Sequence, residues 1–239
     1  MTVSLIIYSH EIQEIIMHIE PGVVDGAKIL LSLATAATAF VVSSKHITSH
    51  VKQNGVASLA TKTLLATVAV LVFFEVFPKQ PVGVSEVHLI LGSSIFLLFS
   101  LAPAALGLTF GLLIQSLFFA QTDLPQYFMN ITTLLVPLFA MAAIAPKFID
   151  PNTAYSDLTY TQTLKLSAIY QSGIVAWVMF WAFYGQGFAV ETFVNVGVFA
   201  AAYLTVIIVE PVADLALLFA AKRLKPISSL FVNTRLYKA

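Results

Sequence analysis

The stretch Phe193-VNVGVFAAAYLTVIIVEPVADLALLFA-Ala221 decides the class of fold. It holds two charged residues, Glu210 and Asp214, in a run longer than the about 20 apolar residues an α-helix needs to cross a bilayer. The rest of the chain has the same character. Of its 239 residues 59% are hydrophobic and 10% charged, where an ordinary soluble domain carries about 25% charged residues. Mean hydropathy is +0.90. These values describe a polytopic membrane protein embedded in a lipid bilayer.

Working back from that run, six more candidate spans read as roughly Val23–Val42, Ala57–Phe77, His88–Ala102, Ala104–Ala120, Ile131–Pro146 and Leu164–Tyr184. The expected fold is therefore all-α, with about seven transmembrane helices in one bundle. The third and fourth spans are parted by Leu101-Ala102-Pro103-Ala104, where proline lacks an amide donor and favours a break. The third is short for a crossing, so its start is expected to be buried in protein or to line a cavity. Phe148–Gln162, punctuated by Pro, Asn, Asp and Thr, reads as a loop. No repeat, low-complexity segment or soluble domain is visible. Span one is rich in alanine (Ala34, Ala36, Ala37, Ala39), and span four carries Gly107-Leu-Thr-Phe-Gly111; such small-residue faces let helices approach closely.

Charge gives an orientation. Lys45, Lys52 and Lys62, Lys147 and Lys165, and Lys222, Arg223, Lys225, Arg235 and Lys238 fall on one side of a seven-span bundle. These are ten of the twelve basic residues, leaving Lys28 and Lys79 on the other side. The positive-inside rule then puts the C-terminus in the cytoplasm and the N-terminus outside. With zero net charge there is no footprint for nucleic acid. With no cysteine there is no disulfide and no thiolate ligand or nucleophile. Met1–Ile16 lacks a basic start and a small-residue cleavage site, and Glu11 and Glu14 interrupt it, so it makes a poor signal peptide. No nucleophile-base pair, cofactor fingerprint or phosphate-loop pattern is present, so an enzyme is not expected.

The five histidines all lie in the first 88 residues. His46 and His50 are spaced for one helix face but sit among Lys45, Ser49 and Lys52 with no carboxylate near, and read as part of a cytoplasmic loop. His10 reads as interfacial. His18 and His88 each precede a span on the outer side. Glu20 and Glu86 stand beside them as acceptors able to orient an imidazole. Glu75 is expected to face water at the outer end of span two. Glu210 and Asp214, four apart on one helix face, are expected near the cytoplasmic end or against protein, since a bare carboxylate at mid-bilayer costs about 3 kcal/mol.

Two of these blocks carry a resemblance. Met17-His18-Ile19-Glu20-Pro21-Gly22 resembles the opening motif of the CbiM/NikM family, the substrate-binding membrane subunits of energy-coupling-factor cobalt and nickel transporters. Pro81-Val-Gly-Val-Ser-Glu-Val-His88-Leu89 is similar to that family's loop ending in a ligand histidine. Less specific likenesses are Leu112–Phe119 with Gln115, then Asn130, and the acidic point at Glu210. The likeness runs from Met17 to about Lys225. It divides the chain into an extension (1–16), a CbiM-like transmembrane domain (17–225) and a cytoplasmic tail (226–239).

The resemblance implies a square-planar site for Co²⁺ or Ni²⁺ as transported substrate. Its ligands would be Met17 through a terminal amine, His18 through backbone and ring, and His88; Glu20, Glu86 and Asn130 would stand behind them. It also implies a prokaryotic cell membrane, a transmembrane coupling subunit and cytoplasmic ATPase subunits. All-nitrogen tetragonal ligation suits such ions over Mg²⁺ or Ca²⁺. The chain departs from the family in two places: glutamate and proline are exchanged, and Met17 is internal. Either residues 1–16 are absent from the mature protein, or Glu20 substitutes for the amine. The alternatives of another class are a structural subunit of a larger complex that moves no metal, and a carrier that needs no ATPase.

Overall fold

The computed structural model describes Ile19, residues 21–223 and residues 228–237. Among them run α1 (Leu30–Val76), β1 (Lys79–Val82), β2 (Ser85–His88), α2 (Gly92–Phe99), α3 (Leu101–Phe118), α4 (Tyr127–Ile144), α5 (Tyr160–Gln186) and α6 (Val190–Arg223). Five stretches are long and apolar enough to cross a membrane: Gly26–Val76, Leu101–Phe118, Gln121–Lys147, Tyr160–Gln186 and Val190–Ala220. The all-α membrane class stands. Large apolar side chains face outward along α6, among them Val194, Leu204, Ile208 and Phe219, as a lipid-facing surface requires.

α1 takes up both of the first two expected spans. The residues between them, expected as a loop, are helical up to a single break at Gly55, whose φ of 83° and ψ of 164° lie outside the helical region. Only glycine adopts that φ without strain. The polar residues before the break fit a helix because Ser43, Ser44 and Thr48 return their hydroxyls to carbonyls three or four residues back. His50 is consequently not a solvated loop residue: it is 7% exposed, with Ser58 Oγ 3.5 Å from its Nε2 and Ser100 Oγ 3.3 Å from its Nδ1.

The expected third span divides differently from its sequence reading. His88 ends a β-strand, and helix begins at Gly92 and lasts eight residues. The break from α3 falls at Ser100, with φ 72°, ahead of Pro103. That proline sits in the first turn of α3, where its missing amide donor is no loss. α2 is too short to span, and, as its length led us to expect, it is buried: Gly92 to Leu97 and Phe99 are all covered.

Buried carboxylates hold its start. Glu210 and Asp214 of α6 are 0% exposed, set against protein. Ser93 Oγ donates to Asp214 Oδ2 at 2.6 Å and lies 3.2 Å from Glu210 Oε1. Ser94 Oγ donates to Asp214 Oδ1, and Gln171 Nε2 of α5 donates to Glu210 Oε2. Leu91, the residue before α2, supplies no side-chain cap of its own. Negative charge at a helix N-terminus is favourable, so α6 caps a helix it is far from in sequence.

Asn233 and Arg235, near the C-terminus, are tied to the bundle. Asn233 N–H donates to Leu98 O at 2.6 Å, and Arg235 donates to the carbonyls of Thr153 and Asp150. Arg235 also stacks 4.7 Å from the Tyr155 ring. Burial pushes the Tyr155 phenol up from its ordinary pKa, with the Arg235 charge opposing.

The small-residue motif of α3 packs within the molecule. A Cβ at Gly107 would lie 2.4 Å from Ala66 Cβ, and one at Gly111 would lie 2.5 Å from Val70 Cγ1, both on α1. In lipid, close packing of this kind drives helix association by dispersion. Of the span-one alanines, Ala36 and Ala39 are buried, while Ala34 and Ala37 face outward. Gly111→Val should overpack the α1–α3 seam by about 1–3 kcal/mol, lowering the thermal unfolding midpoint in detergent. Val212→Ala, on the outward face of α6, should leave it within error.

Candidate metal centre

α1 ends at Val76, and Phe77 turns extended at φ −77° and ψ 150°. Pro78 follows, and the chain then folds into a two-stranded antiparallel hairpin pairing Lys79 with His88, Gln80 with Val87, Pro81 with Glu86 and Val82 with Ser85. The turn has two central residues. Gly83 has φ 67° while Val84 is not in the positive-φ region, which matches a type II′ turn with glycine first. A side chain at Gly83 would also strike α6, since its Cβ would lie 2.2 Å from Asn195 O. The hairpin was read from sequence as a loop; strand pairing now fixes where its histidine sits.

His88 is held from two sides. The Phe74 ring of α1 meets it edge-on, centroids 5.1 Å apart. Across the hairpin from His88, Lys79 Nζ is 3.6 Å from Glu75 Oε2. Glu75 in turn accepts from Gln115 Nε2 of α3 at 2.8 Å. Glu75 is 25% exposed, so it is not the free water-facing residue expected. It is the middle of a three-residue brace from α3 through α1 to β1.

The N-terminal segment approaches the same place. Ile19 is 1% exposed, and its N–H donates to Asn130 Oδ1 of α4 at 3.2 Å. Val23 and Val24 are buried against the end of α5. There Lys28 Nζ donates to Gly185 O at 2.7 Å, and a Cβ on Gly185 would lie 1.8 Å from Val23 O. Ile19, Ser85, Glu86, His88, Asn130 and Tyr203 together line a cavity of about 10 Å³. A cavity of this order holds about one water-sized body.

Of the residues singled out from sequence, His88, Glu86 and Asn130 therefore converge on one cavity. Met17, His18 and Glu20 lie outside the described residues. Among the described residues no group of three or more His, Asp or Glu is gathered to hold a metal ion. The cavity thus offers one imidazole and one carboxylate from the hairpin.

Sequence reasoning missed Tyr203, Phe74 and the link from Gln115 to the hairpin. Tyr203 had a signal, a polar group inside an apolar run, whereas the brace is a tertiary contact with no sequence pattern. His46 and His50 sit elsewhere, at the α1 break. Glu75→Gln should weaken the brace by about 1–2 kcal/mol, the range for hydrogen bonds to charged groups. Amide exchange across Lys79–His88 should then speed up about tenfold, with α4 and α5 unchanged.

A family model described as CbiM, cobalt uptake substrate-specific transmembrane region, matches residues 18–227. No curated protein and no solved structure matches the chain.

Proposed function

The chain belongs to the CbiM family of cobalt uptake transmembrane components, and from that premise we propose that it is the subunit that captures Co²⁺ or Ni²⁺ on the outer side of a prokaryotic cell membrane. Its ligands are the imidazoles of His18 and His88, joined by the Met17 amine in a mature chain that begins there. Glu86 and Glu20 orient the imidazoles. Asn130 fixes the peptide that follows His18. Energy comes from separate cytoplasmic ATPase subunits through a transmembrane coupling subunit.

The observation that carries this reading is the bond from Ile19 N–H to Asn130 Oδ1, made at the wall of the cavity that His88 lines. It supports convergence of two segments about seventy residues apart on a space the size of one ion. Imidazole binds a metal only when neutral, with an ordinary pKa of about 6.5. Affinity therefore weakens as pH falls and the nitrogen donors take up protons.

Purified protein should bind about one Co²⁺ or Ni²⁺ per chain by mass-spectrometric metal analysis. His88→Ala and His18→Ala should each lower affinity more than Asn130→Ala, whose loss belongs with the about 10–100-fold typical of outer partners. Wild-type affinity should drop between about pH 7 and pH 5. Metal content well below one equivalent and unchanged in His88→Ala would sink the capture role and favour a structural subunit.

The topology proposed is seven crossings: α1 counts as two on either side of Gly55, the connector 89–91 with the short α2 makes the third, and α3 to α6 are the other four. Fully straight, Gly26–Val76 would reach about 76 Å, far beyond a hydrocarbon core of about 30 Å. The basic residues put the C-terminus inside. The natural absence of cysteine makes labelling clean. Gln80→Cys should react with an impermeant maleimide in intact cells, and Thr234→Cys only after permeabilisation; the reverse pattern would invert the bundle.

A further inference from the structure

A second cavity, of about 200 Å³, opens where α1 breaks. Its wall is built from three places in the chain: His50 before the break and Lys62 after it, Ser100 with the first residues of α3, and Asn233 with Thr234 near the C-terminus. It is far roomier than the about 10–15 Å³ one water needs.

Its chemistry has one sign. Lys62 is 1% exposed, lines the cavity, and has no ion pair or hydrogen bond among the described residues. No aspartate or glutamate lines the cavity. Leu101 and Ala102, the first turn of the 18-residue α3, also lie on its wall, and the residue before them gives no side-chain cap. The positive end of a helix dipole thus adds to the lysine charge. Ser100, Asn233 and Thr234 supply neutral polar groups, and the His50 ring is set between the hydroxyls of Ser58 and Ser100. A buried ammonium with no counter-charge is costly, and the helix N-terminus and neutral hydroxyl and amide groups of the wall suit an anion with several acceptor oxygens.

We propose that this cavity binds a phosphate-type oxyanion, with Lys62 as its counter-charge and the α3 N-terminus, Ser100, Asn233 and Thr234 as its donors. A free phosphate and the phosphodiester of an anionic lipid headgroup share that chemistry. The site is distinct from the metal cavity and does not depend on the metal reading.

The test uses the full chain, purified in phosphate-free detergent. Its unfolding midpoint should rise and saturate with sodium phosphate, and not with sodium chloride at equal ionic strength, if the anion is free. It should rise in nanodiscs containing phosphatidylglycerol over pure phosphatidylcholine if the anion is a headgroup. Lys62→Gln removes the charge and keeps a polar side chain. Thr234→Asp changes an exposed residue, so folding is spared while a carboxylate is placed at the cavity edge. Each should weaken the response at least tenfold in half-saturating concentration and leave Co²⁺ binding unchanged. A wild type that responds to phosphate no more than to chloride, and to phosphatidylglycerol no more than to phosphatidylcholine, overturns the proposal. So does a Thr234→Asp variant with the wild-type response.

Discussion

The pairing of two buried carboxylates on α6 with the start of α2 is the contact on which the hairpin end of the molecule depends. Non-helical backbone at membrane depth is tolerated only where protein satisfies it. The chain from Lys79 to Leu91 is non-helical, a hairpin and a connector leading into an eight-residue helix, and its buried backbone needs the same satisfaction. Asp214 and Glu210 receive the hydroxyls of Ser93 and Ser94 and so anchor the point where that segment becomes helical. Tyr170 covers the same point so closely that a Cβ on Gly92 would lie 2.2 Å from its ring. His88 sits four residues upstream, and its position follows from that anchorage.

A second layer of support comes from the other direction. The brace from Gln115 through Glu75 to Lys79 fixes β1, and strand pairing passes that order to β2. Phe74 fills the space beside the imidazole. The residues lining the small cavity come from the N-terminal segment, the hairpin, α4, α5 and α6. No single helix owns the site, which is why its geometry needs so many long-range hydrogen bonds to define it.

How much of this was legible beforehand varies with the kind of signal. The membrane class and the positions of the long helices follow from apolar runs, which are local and unambiguous. Polar residues in helix interiors misled: Ser43 to Asn54 reads as a loop, yet its hydroxyls bond within the helix and only Gly55 breaks it. The hairpin was hidden because four-residue strands have too few positions for a period to show. At the site, His88, Glu86 and Asn130 could be picked out by motif and spacing. Tyr203 and Phe74 could not be tied to it, because their roles lie in packing between distant segments. The polar cavity at Lys62 had no sequence signature, since its walls are brought together only by the fold.

The break at Gly55 has a mechanical corollary. The two arms of α1 on either side of it are about 37 Å and 32 Å long. One arm leads back toward Ile19 and the other ends beneath the hairpin, yet Ile19 and His88 line one small cavity. The helix therefore doubles back like a pair of tweezers, with its pivot at a single glycine and its tips toward the end of the bundle where that cavity lies. Geometry then makes the angle at that pivot a lever. A few degrees of splay, multiplied along either arm, translate into ångströms at the jaws.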